Sequence, residues 1–320
     1  MDYRYLGRSG LQVSSIGLGC NNFGGRCDRE QTEAVVHRAL TLGVNFFDLA
    51  DIYPPGGPKG LAEEYFGAVI KGHRREVVLA TKFGGPMGEG PGWRGGSRRY
   101  IRAAVEASLR RLGTDYIDLY QLHFPDPATP IAETLSALDD LVHAGLVRYV
   151  GCSNFSAWQV AEAAWTARTE HLTPFISAQN PYNLLDRAVE RELIPACLRY
   201  GLGLLPYYPL ASGVLTGKYR AGEAAPPGTR LAAGGFFTGV IQRAMTEGNL
   251  AAVQRLENFA TEREHSVADL AIAWLSAQSA VSSVIAGATK PEQVEANVEA
   301  GSWTLTAEEV AEVSEITKPA

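Results

Sequence analysis

Asp48, Tyr53, Lys82 and His123 are a carboxylate, a phenol, an ammonium and an imidazole set at the ends of apolar, strand-like runs. The runs are Val44-Asn45-Phe46-Phe47, Val77-Val78-Leu79-Ala80-Thr81 and Tyr116-Ile117-Asp118-Leu119-Tyr120-Gln121-Leu122, and Tyr53 follows Asp48 by five residues. Taken singly, each has an ordinary role: a turn cap, a surface aromatic beside Pro54, a solvated strand end, a core histidine bonded to a carbonyl. If the runs are parallel neighbours, the four side chains converge at one end of a sheet, and together they suit proton donation to a carbonyl oxygen. A free phenol titrates near 10, too high for an efficient acid at neutral pH. A cation about 4 Å away, at an effective dielectric near 20, favours the phenolate by roughly 4 kcal/mol. Lys82 is expected to supply that charge and draw Tyr53 toward the working pH, as general acid catalysis requires. Asp48 would hold Lys82 charged and in place, and His123 would donate a hydrogen bond to the substrate oxygen. No zinc set or acyl-transfer triad accompanies them.

The elements that must position these residues alternate in period. Eight β-type runs cover residues 15–19, 44–48, 77–81, 116–122, 147–152, 175–179, 203–207 and 283–286. Helical stripes lie between them, such as Ile101, Val105, Leu109, Leu112; Leu135, Leu138, Val142; and Val267, Leu270, Ala271, Trp274, Leu275, with Ser266 placed to cap the last. Near-continuous apolar strands separated by helices imply a parallel sheet buried on both faces. Eight such units predict an α/β fold, a (β/α)8 TIM barrel forming a single domain over residues 1–320. A hairpin around the Gly-Arg-Ser-Gly turn opens the chain, and extra helices are expected near 250–262 and 307–316. Two long loops, 84–99 and 211–246, follow strand ends on the active face of such a barrel.

Bulk properties exclude other classes. The chain has 320 residues, 46% hydrophobic, with a net charge of -6, which disfavours a nucleic-acid partner. No run approaches the length of a membrane span, and the first residues lack the apolar segment of a signal peptide. Cys20, Cys27, Cys152 and Cys197 follow neither disulfide nor zinc spacing, so reduced thiols, a cytoplasmic location and no metal are expected.

A carbonyl that receives a proton must also receive a hydride, so a nicotinamide cofactor is implied. The dinucleotide fingerprint fails: Gly17-Leu18-Gly19-Cys20-Asn21-Asn22 has Asn22 where the third glycine belongs. The cofactor is therefore expected on the loops of the barrel.

The chain resembles the aldo-keto reductase superfamily almost end to end. The ordered set Asp48, Tyr53, Lys82, His123 matches that family's catalytic tetrad, within segments such as Asn45-Phe46-Phe47-Asp48, Ala80-Thr81-Lys82, Gly151-Cys152-Ser153-Asn154-Phe155 and Gln179-Asn180-Pro181-Tyr182-Asn183. The details are most similar to bacterial members related to the potassium-channel β subunits. The resemblance implies NADP(H) lying across the barrel mouth, near Asp48. Ser153, Asn154 and Gln179 would bind the carboxamide, and Tyr207 would stack on the nicotinamide. Leu210, Ser212, Gly213 and Lys218 would cover the pyrophosphate, with Arg230 reaching it from further along. Gly19, Cys20 and Asn21 would approach after the first barrel strand. Gly287, Thr289, Gln293 and Asn297 would grip the adenosine 2′-phosphate and adenine at a helix start. Gly287 and Gln293 stand where family members carry lysine or arginine, and Ala296 where an acid is common, so NAD(H) is the alternative cofactor.

Substrate contacts are expected from Phe23, Trp93, Phe124 and the 211–246 loop, with Arg94, Arg98 and Arg99 contributing only if loop 84–99 folds inward. The expected activity is reversible, NADPH-dependent reduction of an aldehyde or ketone. The alternative is a cofactor-binding regulatory subunit with little turnover. A small carbonyl compound is the expected partner, and an oligomer is left open.

Overall fold

The alternation of apolar strands and amphipathic helices closes on itself. The structure, a computed structural model, describes residues 1–220, 223–227, 229–235 and 238–318. A short antiparallel hairpin, β1 (Tyr3–Tyr5) and β2 (Gln12–Ser14), precedes the barrel. The barrel strands are β3 (Ile16–Gly19), β4 (Phe46–Asp48), β5 (Val78–Phe83), β6 (Ile117–Leu122), β7 (Val147–Ser153), β8 (Phe175–Pro181), β9 (Gly203–Tyr207) and β10 (Val284–Gly287). They pair in parallel in sequence order, and β10 closes against β3. The intervening helices are α1 (Arg29–Thr41), α2 (Leu61–Val69), α3 (Arg98–Leu112), α4 (Ile131–His143), α5 (Ala157–Thr169) and α6 (Leu193–Tyr200). After β9 come α7 (Arg230–Ala233), α8 (Thr238–Ala244), α9 (Glu247–Thr261) and α10 (Val267–Ser276), and after β10 come α11 (Pro291–Ser302) and α12 (Ala307–Ile316). The (β/α)8 barrel, the hairpin and both extra helices follow the sequence expectation. Ser266 caps α10 in a reciprocal box with Asp269. The segment 211–246 differs from the loop expected: it contains a 3-10 turn at Ala211–Thr216 as well as α7 and α8.

Strand alternation sorts the core into two compartments. Outward side chains such as Phe47, Leu79, Tyr120 and Leu122 pack against the helices. Inward ones, Phe46, Val78, Ala80, Leu119, Leu205 and Ile285, fill the barrel, and Leu6 and Val13 from the hairpin segment join them. The inward column turns polar toward the strand ends. Phe46 is followed on its face by Asp48, Ala80 by Lys82 and Leu119 by Gln121. Asp48 registers with Ala80, and Lys82 with Gln121. The three polar groups thus form a layer above the apolar filling.

Helix α2 follows the loop that carries Tyr53, and two contacts fix it to α3. Glu63, wholly buried, accepts from Thr81 Oγ1 at 2.6 Å and from Arg111 Nε at 2.7 Å. Gly67 lets the helices touch, because a methyl group there would lie 2.4 Å from the Leu112 carbonyl oxygen. Alanine is the better helix former by about 1 kcal/mol, but a backbone oxygen cannot yield, and overpacking costs roughly 1–3 kcal/mol. Gly67→Ala should therefore lower the urea midpoint despite its helix propensity. An unchanged or raised midpoint would show that the α2–α3 contact is not tight.

Candidate active site

The polar layer at the barrel mouth is built around one buried ion pair. Lys82, with no exposed surface, donates from Nζ to Asp48 Oδ2 at 2.7 Å and to the Leu49 carbonyl at 2.8 Å. Its third donor direction meets Tyr53 Oη at 3.3 Å. The other Asp48 oxygen accepts from Gln179 Nε2 at 2.9 Å and Gln121 Nε2 at 3.2 Å. All three donor directions of Lys82 and both oxygens of Asp48 are thereby engaged, as a buried pair requires. The His123 ring stands edge-on to Tyr53, centroids 5.9 Å apart, so all four residues expected together are together.

The electrostatics depart from the sequence expectation. Tyr53 is held well above its ordinary value of 10.0, first by burial of the hydroxyl and next by the Asp48 carboxylate. Lys82 does not draw the phenol down, because its charge is already met by Asp48 at bonding distance. Tyr53 is thus a phenol across the neutral range. His123 is held well below 6.5 by burial and by the Lys82 ammonium, so its ring is neutral at the same pH. Its Nδ1 is buried without a partner among the described residues.

A cavity of about 590 Å³ opens over this layer. Its wall includes Gly19, Cys20, Asn21, Ser153, Asn154, Gln179, Tyr207, Leu210, Ser212, Gly213 and Lys218. It continues past Gly287 and Thr289 to Gln293 at the start of α11. Asn154 ties two loops together: its Nδ2 donates to the His123 carbonyl at 2.9 Å, and its Oδ1 accepts from Tyr207 Oη at 2.7 Å. Ser153 Oγ donates to the Gln179 carbonyl at 2.8 Å. Gln293 Oε1 accepts from Thr289 N at 2.7 Å, closing the first turn of α11.

Several expected residues lie elsewhere. Phe23 is wholly buried, because its loop curls back through a Phe23–Cys27 bridge and turns the ring into the core. Trp93 is 53% exposed and off the cavity wall; it packs over Gly88 of its own loop, and its carbonyl accepts from Met87 N at 2.9 Å. Phe124 does line the cavity, stacked on His123 at 4.3 Å. Asn297 is off the wall, since it shares the inward stripe of α11 with Val294 and Ala300 and only the first turn meets the cavity. The Arg230 side chain lies outside the described residues. Arg98 turns to α4, bonding Ser136 and Asp140, and neither Arg94 nor Arg99 reaches the wall. Sequence reasoning passed over Gln121 as a partner of Asp48, although it stands two residues before His123 on the strand's inward face. It also passed over Arg26, Ile52, Lys59 and Tyr208 on the wall; they stand in loops without periodicity, and nothing local marks them.

An elongated dinucleotide fits this wall. Ser212 Oγ is a buried hydroxyl without a partner among the described residues, and Gly213, at φ 106°, leaves Lys218 Nζ 3.1 Å from where a Cβ would stand. A hydroxyl donor and an ammonium beside exposed backbone suit a phosphate. Gly287 keeps the rim clear at the far end.

Fold and site together are those of a barrel oxidoreductase. The sequence profile of the aldo/keto reductase family matches residues 15–318, and the chain belongs to that family. Aldo-keto reductases use nicotinamide cofactors, generally NADPH. The chain is 37% identical over 323 residues to the L-glyceraldehyde 3-phosphate reductase of Escherichia coli, covering 98% of this chain and 92% of that protein. It is 41% identical over 306 residues to a probable voltage-gated potassium channel subunit beta of Oryza sativa, covering 94% and 91%. An uncharacterized oxidoreductase of Bacillus subtilis is 37% identical over 316 residues, covering 96% and 93%. Among the described residues no helix is long and apolar enough to cross a membrane.

The ion pair makes a direct prediction. Lys82→Met strands the buried Asp48 charge and should cost about 3–5 kcal/mol in chemical denaturation. Adding Asp48→Asn should recover part of that loss. A double variant as unstable as the sum of the singles would mean that the two groups are not coupled.

Proposed function

We propose that the protein reduces an aldehyde or ketone to an alcohol with NADPH, reversibly, and that Tyr53 gives the proton. The observation that carries this reading is the Lys82 ammonium 3.3 Å from a phenol that burial keeps protonated, on the wall of the dinucleotide-sized cavity. Bound nicotinamide would supply the hydride. Ser153, Asn154, Gln179 and Tyr207 would hold its ring, Leu210, Ser212, Gly213 and Lys218 its pyrophosphate, and Gly287, Thr289 and Gln293 its adenosine end. Gly19, Cys20, Asn21 and Asp48 would bound it from the opposite wall.

The chain's own groups divide the remaining work. His123, neutral, donates a hydrogen bond to the carbonyl oxygen and orients it beside Tyr53. Tyr53 Oη releases its proton to that oxygen as negative charge builds there. The phenolate left behind is met by Lys82 Nζ, whose distance is already that of a hydrogen bond. Asp48, 2.7 Å from Lys82 Nζ, holds it in place throughout. The reverse reaction needs the phenolate first.

The name of the Escherichia coli relative, a reductase, supports this direction of reading. The second reading, a cofactor-binding subunit with little turnover, draws only weak support from the potassium channel subunit relatives. The two part on one measurement: NADPH oxidation with a panel of aldehydes. Steady turnover that falls about a hundredfold or more in Tyr53→Phe supports the reductase. Tight NADPH binding without turnover, or full activity in that variant, would sink it.

The pH dependence follows from the two shifted groups. A phenol raised above 10 stays protonated until pH exceeds its raised value, and His123 stays neutral until pH falls well below 6.5. Carbonyl reduction should therefore be flat from about pH 6.5 to 9, while alcohol oxidation climbs with pH through that range. A reduction rate that falls between about pH 7 and 8 would contradict the raised phenol.

Gln293 replaces the cation expected beside a 2′-phosphate. Gln293→Arg should raise the NADPH over NADH preference on the order of tenfold, read as a ratio of kcat/KM. An unchanged ratio would place the adenosine end elsewhere.

A further inference from the structure

The cavity wall has two halves of different origin. The loops after β7, β8, β9 and β10 carry Ser153 through Gln293, the half assigned above to the cofactor. The loops after β3, β4, β5 and β6 form the other lip, with Arg26, Ile52, Pro55, Lys59, Pro86 and Phe124. Nothing assigned so far uses the charges on this second lip.

We propose that this lip is an anion subsite for the substrate, in which Lys59, assisted by Arg26, holds a phosphate or carboxylate carried a short chain away from the reacting carbonyl. The proposal rests on the carbonyl-reductase reading above and names the substrate class for that same site.

Four observations support it. First, the wall is positive although the chain carries a net charge of -6. Arg26 and Lys59 line it, and the one carboxylate on it among the described residues, Asp48, is already matched by Lys82. Second, neither Arg26 nor Lys59 has a carboxylate within 4.0 Å among the described residues. Third, Lys59 is held rather than loose. Its Nζ donates to the Pro86 carbonyl across the gap between the loops after β4 and β5, so its long side chain is partly ordered before an anion arrives. Fourth, the loops bearing the two cations pack on each other. A methyl group on Gly25 would come within 2.9 Å of the Pro54 ring, and one on Gly24 within 2.7 Å of Leu61. Arg26 and Lys59 are therefore carried by a shared wall that leads to Tyr53.

The chemistry between the ends is short. Gly60 N, next to Lys59, donates to the Tyr53 carbonyl at 3.1 Å, and both Lys59 and Tyr53 line the cavity. A group held at Lys59 is thus on the same wall as the phenol. A single exposed lysine binds an anion weakly in water. Two cations on one lip of a concave site, neither with a carboxylate partner among the described residues, reinforce each other's field.

The test uses the full-length protein with NADPH and two matched aldehyde pairs: glyceraldehyde 3-phosphate against glyceraldehyde, and succinic semialdehyde against butanal. The anionic member should have the higher kcat/KM, by on the order of tenfold, mainly through KM. Lys59→Gln should shrink that anionic-to-neutral ratio by a similar factor, while Lys59→Arg should keep most of it. Raising the salt concentration should shrink the ratio in the wild type. An advantage confined to one pair supports the subsite and identifies phosphate or carboxylate as its ligand. Equal kcat/KM within both pairs, or a ratio that survives Lys59→Gln, overturns the subsite, while turnover of the neutral aldehydes leaves the reductase reading standing. If Arg26→Gln raises the KM for NADPH and leaves the ratio alone, Arg26 belongs to the cofactor half and its part here is overturned. No turnover with any of the four aldehydes overturns both readings.

Discussion

A lysine ammonium with no exposed surface sits 2.7 Å from an aspartate carboxylate at the mouth of this barrel. Removing two such charges from water costs several kcal/mol each unless the remaining donor and acceptor directions are filled. The strand ends fill them. Leu49 contributes a carbonyl to Lys82, while Gln121 and Gln179 contribute amides to Asp48. The pair and these partners come from β4, β5, β6 and β8 or their immediate ends, so the pair can be satisfied only when the barrel is closed. Its energetics and the barrel's register are one requirement.

The same pair sets the character of the site. An isolated ammonium beside Tyr53 would pull the phenol toward ionisation. An ammonium cancelled by its own carboxylate does not, and burial then keeps the proton on oxygen. The arrangement suits a proton that is given up only when charge develops on the acceptor, with Lys82 already in place to meet the phenolate. His123, kept neutral by burial and by Lys82, remains a hydrogen-bond donor that does not compete as an acid. Tyr53 and His123 therefore reach complementary protonation states from one environment.

The rim above this layer holds backbone that side chains rarely adopt. Asn154, Tyr208, Ala211 and Ser212 have positive φ, and they account for four of the six such non-glycine residues among those described. Their concentration around the cavity fits a site where backbone must turn inward against its preference. Asn154 shows the return on that strain: from its unusual backbone it reaches the His123 carbonyl and the Tyr207 hydroxyl at once. The two halves of the mouth are joined through it.

Much of this architecture was legible in the chain alone. Period-two and period-3.6 apolar patterns located eight barrel strands, the hairpin and the extra helices, because burial on both faces of a parallel strand leaves a continuous apolar run. Asp48, Lys82 and His123 stood out as polar groups interrupting or ending such runs, and Tyr53 followed from its spacing. Aperiodic loops carried no such signal. Phe23 and Trp93 read equally well as pocket or packing aromatics, and only the folded loops turned one into the core and the other out to solvent. Nothing in the sequence marked Arg26 and Lys59, 33 residues apart, until two loops packed together on one lip. The direction of the Tyr53 shift was also beyond the sequence. It depends on how closely Asp48 meets Lys82, and the sign of a field at one atom is set by distances that sequence spacing does not contain. Residue types and their period determined which groups meet at the barrel mouth; their mutual distances, fixed by barrel closure, decided how tightly the Tyr53 phenol holds its proton.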